Sequence, residues 1–502
     1  MKRSNSLLCV ISLVTLQFQT ALAQSTLTPT RPDRGEAKYF FQIPGTDRKE
    51  ACIVPRLLPG VDYPKKALES LKDLCSYTLY PLENEQQEQM IACQKLNSTN
   101  PGLNLYDISK AVKAGKKVTC DNVEALDDED LIKKIGKYKQ STSCSYTPGI
   151  MAYYHVSQAL GKVVRVPEAV MRTVDTKFHV GISQPAMDRL EYLKKTDAKK
   201  FHPHSMVYLT LGSLLSNIKN PAASTKKPLL FTDGLQESYG AFLVNPSSEE
   251  VYSSMLVRPT DAELEATKRA DGQKRPNHAR AVAFADRQPD FKNLMNGAKL
   301  ADIAGLQPEM SNAQKLYAMR DIADMIVIDS VMSQEDRFGN IHFQPFKALL
   351  TVEDGEKKIE MVKAKDYNDQ FVKDMTANGH TILDTADVKQ MLLKDNDCSV
   401  SRDNVHTTYR LVEKIRHIDP KTYQGLLRFA KSLSDVATKA VFTVDFYFTE
   451  TDYAKMQKAV AYVTTSLQNK CRAGQLSLDL DVEHYIVNGA AKPQTPADCE
   501  LQ

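Results

Sequence analysis

Four aspartates fall within one short and largely apolar stretch of this 502-residue chain: Asp321, Asp324, Asp329 and Asp336. Asp329 directly follows four apolar residues, and Asp336 with Arg337 ends the stretch just before a turn-like Phe-Gly-Asn. Burying a carboxylate costs free energy unless it is paired, hydrogen-bonded or metal-bound. The spacing therefore indicates acids held by a partner or a metal, and the alternative is an amphipathic helix with solvated acids.

Several regular elements surround this stretch. The chain is predicted to be helical from about 312 through Met332 and mostly helical from 405 to 470. Apolar periodicity also predicts a helix over 146–160, stopped by Gly161. Strand-like runs are Tyr39 to Ile43, Ala169 to Val174 and Val441 to Phe448, with one hairpin-like pair at 348–352 and 359–363 and another at 239–244 and 251–257.

Other segments carry weaker patterns. The acidic run 127–130 predicts the start of a helix, because acids favour helix N-termini. Residues 215–230 and 260–290, rich in Lys, Asn, Pro, Asp and Arg, are predicted to be surface loops.

Composition sets the frame for these elements. A hydrophobic content of 42% is enough for a substantial core, and the length predicts two to four domains. A net charge of +3 gives no general attraction to nucleic acid or membranes.

Residues 1–23 have the pattern of a secretory signal, with Lys2, Arg3, an apolar run and a small-residue cleavage site ending at Ala23. An uncleaved anchor is the alternative. We expect a protein that is extracellular, periplasmic or in the secretory-pathway lumen, without a later membrane span.

Eight further cysteines favour disulfides in that oxidising setting, although their pairing stays open and one or two thiols could remain free. Asn97 begins a glycosylation sequon.

The aspartate stretch resembles the catalytic-loop region of the secretory-pathway kinases related to the Golgi casein kinase. It matches the spacing Asp-Ile-x-Asp-Met-x-x-x-Asp-x-x-Met-x-x-x-Asp-Arg without a gap. Three looser matches follow the order of that family: Tyr154 to Pro167 with its αC helix and next strand, Glu237 to Leu243 with its hinge, and Cys398 to Leu411 with a helix of its C-lobe.

The resemblance implies roles for individual residues. Asp336 would orient or accept the proton of a substrate hydroxyl. Asp366 takes the place of the metal-binding Asp-Asn-Gly, although its glycine is missing, and the alternative is an ordinary strand-end acid. Asn340 would be a second metal ligand or a turn asparagine.

The nucleotide site is less complete. Lys117, or its neighbour Lys116, is the candidate strand lysine for the phosphates of ATP, and Glu237 at the hinge is the second candidate cofactor-binding residue. Between Asp130 and Glu168 the chain has no acid, so the αC glutamate of the family is missing and Ile150 stands at its position.

By resemblance we expect an α+β, two-lobed protein-kinase-like fold. It would comprise an N-terminal extension (24–110), an N-lobe (111–236) and a hinge with a helical C-lobe (237–502). The expected function is transfer of the γ-phosphoryl group of ATP, with Mn²⁺ or Mg²⁺, to Ser/Thr of a secreted or luminal protein. The alternatives are a secreted pseudokinase that acts on a kinase partner, and another transfer such as AMPylation or sugar phosphorylation.

Overall fold

A seven-stranded antiparallel sheet organises the N-terminal half of the protein in the computed structural model, which describes residues 37–80, 89–96, 98–162, 164–287, 292 and 311–502. Its strands lie in the order β1-β2-β6-β7-β5-β4-β3. They are β1 (Lys38–Gln42), β2 (Lys49–Ile53), β3 (Met90–Gln94), β4 (Gly102–Asp107), β5 (Lys133–Lys139), β6 (Ala169–Asp175) and β7 (Glu237–Val244).

The sheet extends across two predicted domain boundaries. β1 to β4 lie in the segment predicted as an N-terminal extension, and β7 lies in the segment predicted as hinge and C-lobe. β7 is nevertheless a central strand, since it pairs with β5 through Ala241 and Lys139 and with β6 through Gly240 and Arg172. The seven strands of this sheet therefore come from all three predicted segments.

A second antiparallel sheet contains β8 (Glu250–Val251), β9 (His342–Glu353), β10 (Glu356–Lys363) and β11 (Thr381–Leu392). The β9–β10 hairpin confirms the predicted pair, and its turn residues Asp354 and Gly355 both have positive φ, as a tight hairpin turn requires. β8 pairs with β9 and not with β7, so the hairpin predicted across residues 245–248 is wrong.

Helices surround and connect the sheets. In chain order they are α1 (Lys65–Leu74), α2 (Ser109–Lys113), α3 (Val123–Asp128), α4 (Thr147–Ala159), α5 (Thr176–Thr196), α6 (Ala198–Phe201), α7 (Ser205–Lys219), α8 (Lys227–Leu230), α9 (Asp261–Ala266), α10 (Pro276–Arg287), α11 (Asn312–Val331), α12 (Asp369–Ala377), α13 (Val405–Thr408), α14 (Leu411–Lys414), α15 (Pro420–Ser432), α16 (Val436–Ala440), α17 (Glu450–Arg472) and α18 (Val482–Asn488).

The two helices that matter most for the site are buried all round. Every residue of α4 from Thr147 to Ser157 is buried, and the helix ends where predicted, at Gly161 with φ +93°. A side chain at Gly161 would lie 2.9 Å from the Lys421 carbonyl oxygen, so only glycine fits there. α11 confirms the helix predicted from residue 312, and its N-cap is Ser311.

Several local predictions are wrong. The predicted loops overlap α7 and α10, and α10 buries a row of alanines with Phe284 that its charged residues obscured in the sequence. The acidic run at 127–130 ends α3 and does not begin a helix. The strand predicted at 441–448 is a short π-helical turn over Val441–Asp445.

The eight cysteines that follow the predicted signal segment all form disulfides, as predicted: Cys52–Cys75, Cys93–Cys120, Cys144–Cys398 and Cys471–Cys499. Such bonds fit an oxidising compartment. Within the part of the chain that the structure describes, no helix has the length and apolar character needed to span a bilayer. The predicted signal segment and Asn97 lie outside the described residues.

Candidate functional site

The last residue of β5 extends a lysine toward two aspartates from a distant part of the chain. The Lys139 ammonium group donates to Asp395 Oδ1 at 2.8 Å and to Asp397 Oδ2 at 3.0 Å. Burial alone would lower the pKa of Lys139, but the two carboxylates outweigh it and the net shift is upward. For Asp395, burial is outweighed by Lys139, Lys95 and Lys137, which hold its pKa well below the ordinary range. Lys139, Asp336, Asp395 and Asp397 are called the front cleft below.

The two aspartates lie in the segment that follows β11, and two attachments fix this segment. Buried Arg337 donates to the Lys394 carbonyl oxygen at 2.9 Å and also hydrogen-bonds the Asn396 side chain. The Cys144–Cys398 disulfide then ties the segment to the connection between β5 and α4. Lys139 and Asp397 are each within five residues of a bridged cysteine, so the disulfide joins the two halves of the front cleft.

The loop between β3 and β4 covers the same aspartates. Asn100 Nδ2 donates to Asp397 Oδ2 at 3.2 Å. Lys95, at the end of β3, lies close enough for its charge to act on Asp395. Burial lowers the pKa of Lys95 to about 8. This loop therefore adds an amide and a cation to the front cleft.

Asp336 lies beside this cluster in the turn after α11. Its side chain, 26% exposed, accepts from Arg280 Nη1 at 3.2 Å and from Asn340 Nδ2 at 3.0 Å. Burial raises the pKa of Asp336, Arg280 opposes that rise, and the negative charges of Asp397 and Asp395 add to it. A carboxyl with a raised pKa in a partly buried position is suited to exchange a proton with a hydroxyl group.

Asp329 is buried in an ion pair with Arg337. Arg337 Nε donates to its Oδ2 at 2.8 Å, the hydroxyl of Tyr153 on α4 also hydrogen-bonds it, and the aspartate and arginine side chains are both 0% exposed. Arg337 thus pairs with Asp329 and not with Asp336, which leaves Asp336 to Arg280 and Asn340. The same arginine links α11 to the segment that carries Asp395.

The space next to Lys139 is narrow in this conformation. A cavity of about 20 Å³ lies between the end of β7 and the 394–396 segment. Glu249, which follows β7, forms an ion pair with Lys394 and lies 3.9 Å from Lys137 Nζ. Small-molecule pockets usually have volumes of roughly 300–1,000 Å³, so a nucleotide requires this cleft to open. Burial lowers the pKa of Lys137 to about 7.

Asp395 and Asp397, which Lys139 contacts, are the carboxylates of the front cleft that could hold a metal. In the described ranges, no group of three or more His, Cys, Asp or Glu residues is placed to hold a metal ion. Mg²⁺ bound with a nucleotide usually takes only one or two carboxylates, and phosphates and water complete its shell. Asp395 and Asp397 fit that smaller requirement.

The structure brings together only part of the predicted site. Asp336 and Asn340 are adjacent, and the Asn340 amide donates to Asp336. Asp366 is exposed in a short 3-10 turn after β10, where its charge acts on Lys363. The carboxylates whose charges act on Asp336 are Asp395 and Asp397 instead.

Both predicted nucleotide-binding residues lie elsewhere. Lys117 is exposed in an irregular connection between α2 and α3, and not on a strand as predicted, whereas the inward-facing lysine is Lys139. Glu237 begins β7, and Val244 at the opposite end of that strand lines the narrow cavity. Burial raises the pKa of Glu237, which lies 3.9 Å from Arg48 Nη1.

The sequence did contain signals for the residues that were missed. Asp395-Asn396 repeats the first two residues of the expected Asp-Asn-Gly pattern, and only Lys394 separates it from the apolar run 391–393. Lys137 and Lys139 alternate along a short stretch in the way that one face of a strand requires. The roles of Lys95 and Asn100 had no comparable signal, because a loop places them.

No family model, curated protein or solved structure matches this chain.

Proposed function

We propose that this protein is a two-lobed phosphotransferase that moves the γ-phosphoryl group of ATP onto a hydroxyl acceptor. The observation that carries the proposal is the meeting of Lys139 with Asp395 and Asp397 beside Asp336. Phosphoryl transfer needs little covalent help from a protein, but it needs cations on the phosphates and a carboxylate at the acceptor hydroxyl. The front cleft offers both.

The order of the strands supports the proposal. The lysine is on β5, the buried helix α4 follows it, and β6 and β7 return to the same sheet, with β7 directly beside β5. The β3–β4 hairpin continues the sheet on the other side, and its loop reaches Asp397. A nucleotide bound in the front cleft would have its phosphates between this loop and Lys139, an arrangement that ATP-dependent phosphotransferases use.

We assign roles to these residues as follows. Lys139 binds the phosphates, Asp395 and Asp397 are the ligands of Mg²⁺ or Mn²⁺, and the metal neutralises phosphate charge when it is bound. Asp336 orients the acceptor hydroxyl and takes its proton, and Asn340 fixes the carboxylate by its 3.0 Å hydrogen bond. The missing glutamate of α4 is replaced in part by Asp397, which holds Lys139 in place.

The acceptor that we propose is a Ser or Thr hydroxyl of a secreted or luminal protein. The secreted location rests on the four disulfides and on the signal pattern of residues 1–23. The protein acceptor rests on the resemblance of the Asp321–Arg337 stretch alone.

A secreted pseudokinase is the second candidate, and one observation favours it. The cavity beside Lys139 has a volume of only about 20 Å³, and Lys394, which lines it, forms an ion pair with Glu249. A protein that used this fold only to bind a kinase partner would have no need to open the cleft.

Labelled ATP separates the candidates. With Mn²⁺ present, we expect ATP to raise the melting temperature and γ-labelled ATP, but not α-labelled ATP, to label an acceptor protein. Label from the α-phosphate would instead indicate nucleotidyl transfer. A melting temperature that does not respond to ATP, with no label from either position, would support the pseudokinase.

Matched variants locate the chemistry. Asp336→Asn should remove label transfer while ATP still raises the melting temperature, and Asp395→Asn should remove both. Asp366→Asn is the control for Asp395, since the exposed Asp366 lies outside the front cleft. Equal losses in Asp366→Asn and Asp395→Asn would contradict our assignment.

A further inference from the structure

A large cavity lies away from the front cleft, where α15 packs near the N-terminal half of α11. Its volume is about 1110 Å³, and parts of α4, α11, β11 and α15 line it. It is called the rear cavity below. Asp321, Asp324 and Asp419 lie in its lining and are 4%, 3% and 5% exposed. Three buried carboxylates at one cavity are costly without partners.

One carboxylate oxygen among these three acids accepts no hydrogen bond from the described residues. Asp321 Oδ2 accepts from the Met391 backbone N–H at 2.7 Å. Asp419 Oδ1 accepts from the Lys421 backbone N–H, also at 2.7 Å. Asp324 Oδ1 is buried and has no hydrogen-bond partner among the described residues. Burial and the nearby charge of Asp419 both raise the pKa of Asp324.

Arg320, whose charge acts on these aspartates, forms its ion pair mainly with Glu483. Arg320 Nη1 donates to both carboxylate oxygens of Glu483 at 2.9 Å, and Arg320 Nε lies 3.9 Å from Asp321. Its charge still acts on Asp324 and Asp419. Lys421 also lines the cavity and its charge acts on Asp419, but its ion pair is with Asp481 at 3.9 Å. Among the described residues, Thr422 hydrogen-bonds Asp324, and no cation forms an ion pair with Asp324 or Asp419.

The rest of the lining indicates the body of a ligand. Leu58, Val164, Met391 and Phe429 are buried apolar residues of the same cavity. The volume is near that of small-molecule sites and far above the need of a single ion.

We propose that the rear cavity binds a small primary amine, whose ammonium group lies between Asp324 and Asp419 and whose apolar body packs on the buried apolar lining. The ammonium group supplies N–H donors to both carboxylates, including the unpartnered oxygen of Asp324. It also supplies the positive charge that Arg320 gives mainly to Glu483. The site is separate from the front cleft and does not depend on phosphoryl transfer.

Pentylamine is the probe for this proposal, with 1-pentanol as its uncharged analogue and tetraethylammonium as a cation without N–H donors. We expect isothermal titration without ATP to show pentylamine binding at least about tenfold tighter than either analogue, a ratio of roughly 1.4 kcal/mol. Equal binding of pentylamine and 1-pentanol would overturn ammonium recognition. Equal binding of tetraethylammonium would overturn the role of the N–H donors.

Two variants and one control test the place of binding. Asp324→Asn removes the charge at nearly constant shape and should weaken pentylamine binding by about tenfold or more. Ser434→Trp, at an exposed position of the cavity lining, should block entry without a change at the acids. Asp188→Asn, on the exposed face of α5, should bind pentylamine like the natural sequence. Unchanged binding in both Asp324→Asn and Ser434→Trp would overturn the proposal.

Discussion

The front cleft and the rear cavity contain acids of the same type under opposite conditions. At the front, Lys139 contacts Asp395 and Asp397, and Arg280 contacts Asp336. At the rear, Asp324 has an oxygen without a hydrogen-bond partner among the described residues. The pKa of Asp395 is accordingly held well below the ordinary range, whereas the pKa of Asp324 is raised well above it.

The difference teaches that burial alone does not decide the charge of an acid. Burial raises the pKa of both Asp395 and Asp324, and a cation within hydrogen-bonding distance reverses the result only for Asp395. Lys139 thus favours the charged form of Asp395, whereas burial and the charge of Asp419 favour the neutral form of Asp324.

The largest expected loss of stability comes from removing Arg337, the buried cation that fixes the segment carrying Asp395. Arg337→Met leaves Asp329 buried without its arginine and releases the 394–396 segment, so we expect a loss of about 3–5 kcal/mol in the free energy of unfolding. Urea unfolding followed by circular dichroism measures it, since the chain has no tryptophan. The control is Arg472→Met, which removes an ion pair with Glu500 at 2.7 Å between half-exposed side chains. That variant should lose at most about 1 kcal/mol, and a similar loss in both would contradict the prediction.

The disulfide that joins the front cleft should have the next effect. Replacing Cys144 and Cys398 by serine should lower the free energy of unfolding by roughly 2–4 kcal/mol, and it should also reduce the rise in melting temperature caused by ATP. The control replaces Cys471 and Cys499, which close a loop of 28 residues rather than 254. The control should lose stability but keep the response to ATP. Equal responses to ATP would show that the Cys144–Cys398 bond does not position the cleft.

In the rear cavity, a substitution should raise the free energy of unfolding instead of lowering it. Asp324→Asn should raise the free energy of unfolding near neutral pH by about 1–3 kcal/mol, because it removes an unsatisfied buried acid. A carboxyl whose pKa is raised by folding stabilises the fold below its unfolded pKa and loses that contribution as the pH rises through the folded value.

Urea unfolding across pH checks this sign. Burial raises the pKa of Asp321 and of Asp419 to about 6 and that of Glu50, in β2, to about 7. The stability contributed by these acids should therefore fall from about pH 4 to pH 7, and the advantage in stability of Asp324→Asn over the natural sequence should grow over the same range. Lower stability of this variant at neutral pH would contradict the prediction.

The elements of both regions were largely predictable, because local patterns determine them. The apolar periodicity of 146–160 and the run from residue 312 predicted α4 and α11, and the turn at Asp354 predicted the β9–β10 hairpin. α10 was missed because its buried alanines alternate with charged residues, and overall composition outweighed the periodic face.

The site was predictable only where one segment supplies it. Asp336 and Asn340 are four residues apart, and their hydrogen bond follows from a single turn. Lys139 and Asp395 are 256 residues apart, so their contact depends on the packing of the β-sheet against the segment after β11. The lysine predicted from distance along the chain, Lys117, lies in a surface connection for that reason.

The smallest effect tests whether the pairing of Asp336 tunes its chemistry. Arg280 opposes the rise that burial causes in the pKa of Asp336, so Arg280→Gln should raise this pKa further. The acidic limb of the pH profile of kcat/KM for phosphoryl transfer should then move upward by less than about one pH unit, because both side chains are partly exposed to water. Arg287→Gln, on the same helix but paired with Glu263, should leave the limb in place. A downward shift in Arg280→Gln, or equal shifts in both variants, would separate Asp336 from the proton transfer and return the cleft to a binding role.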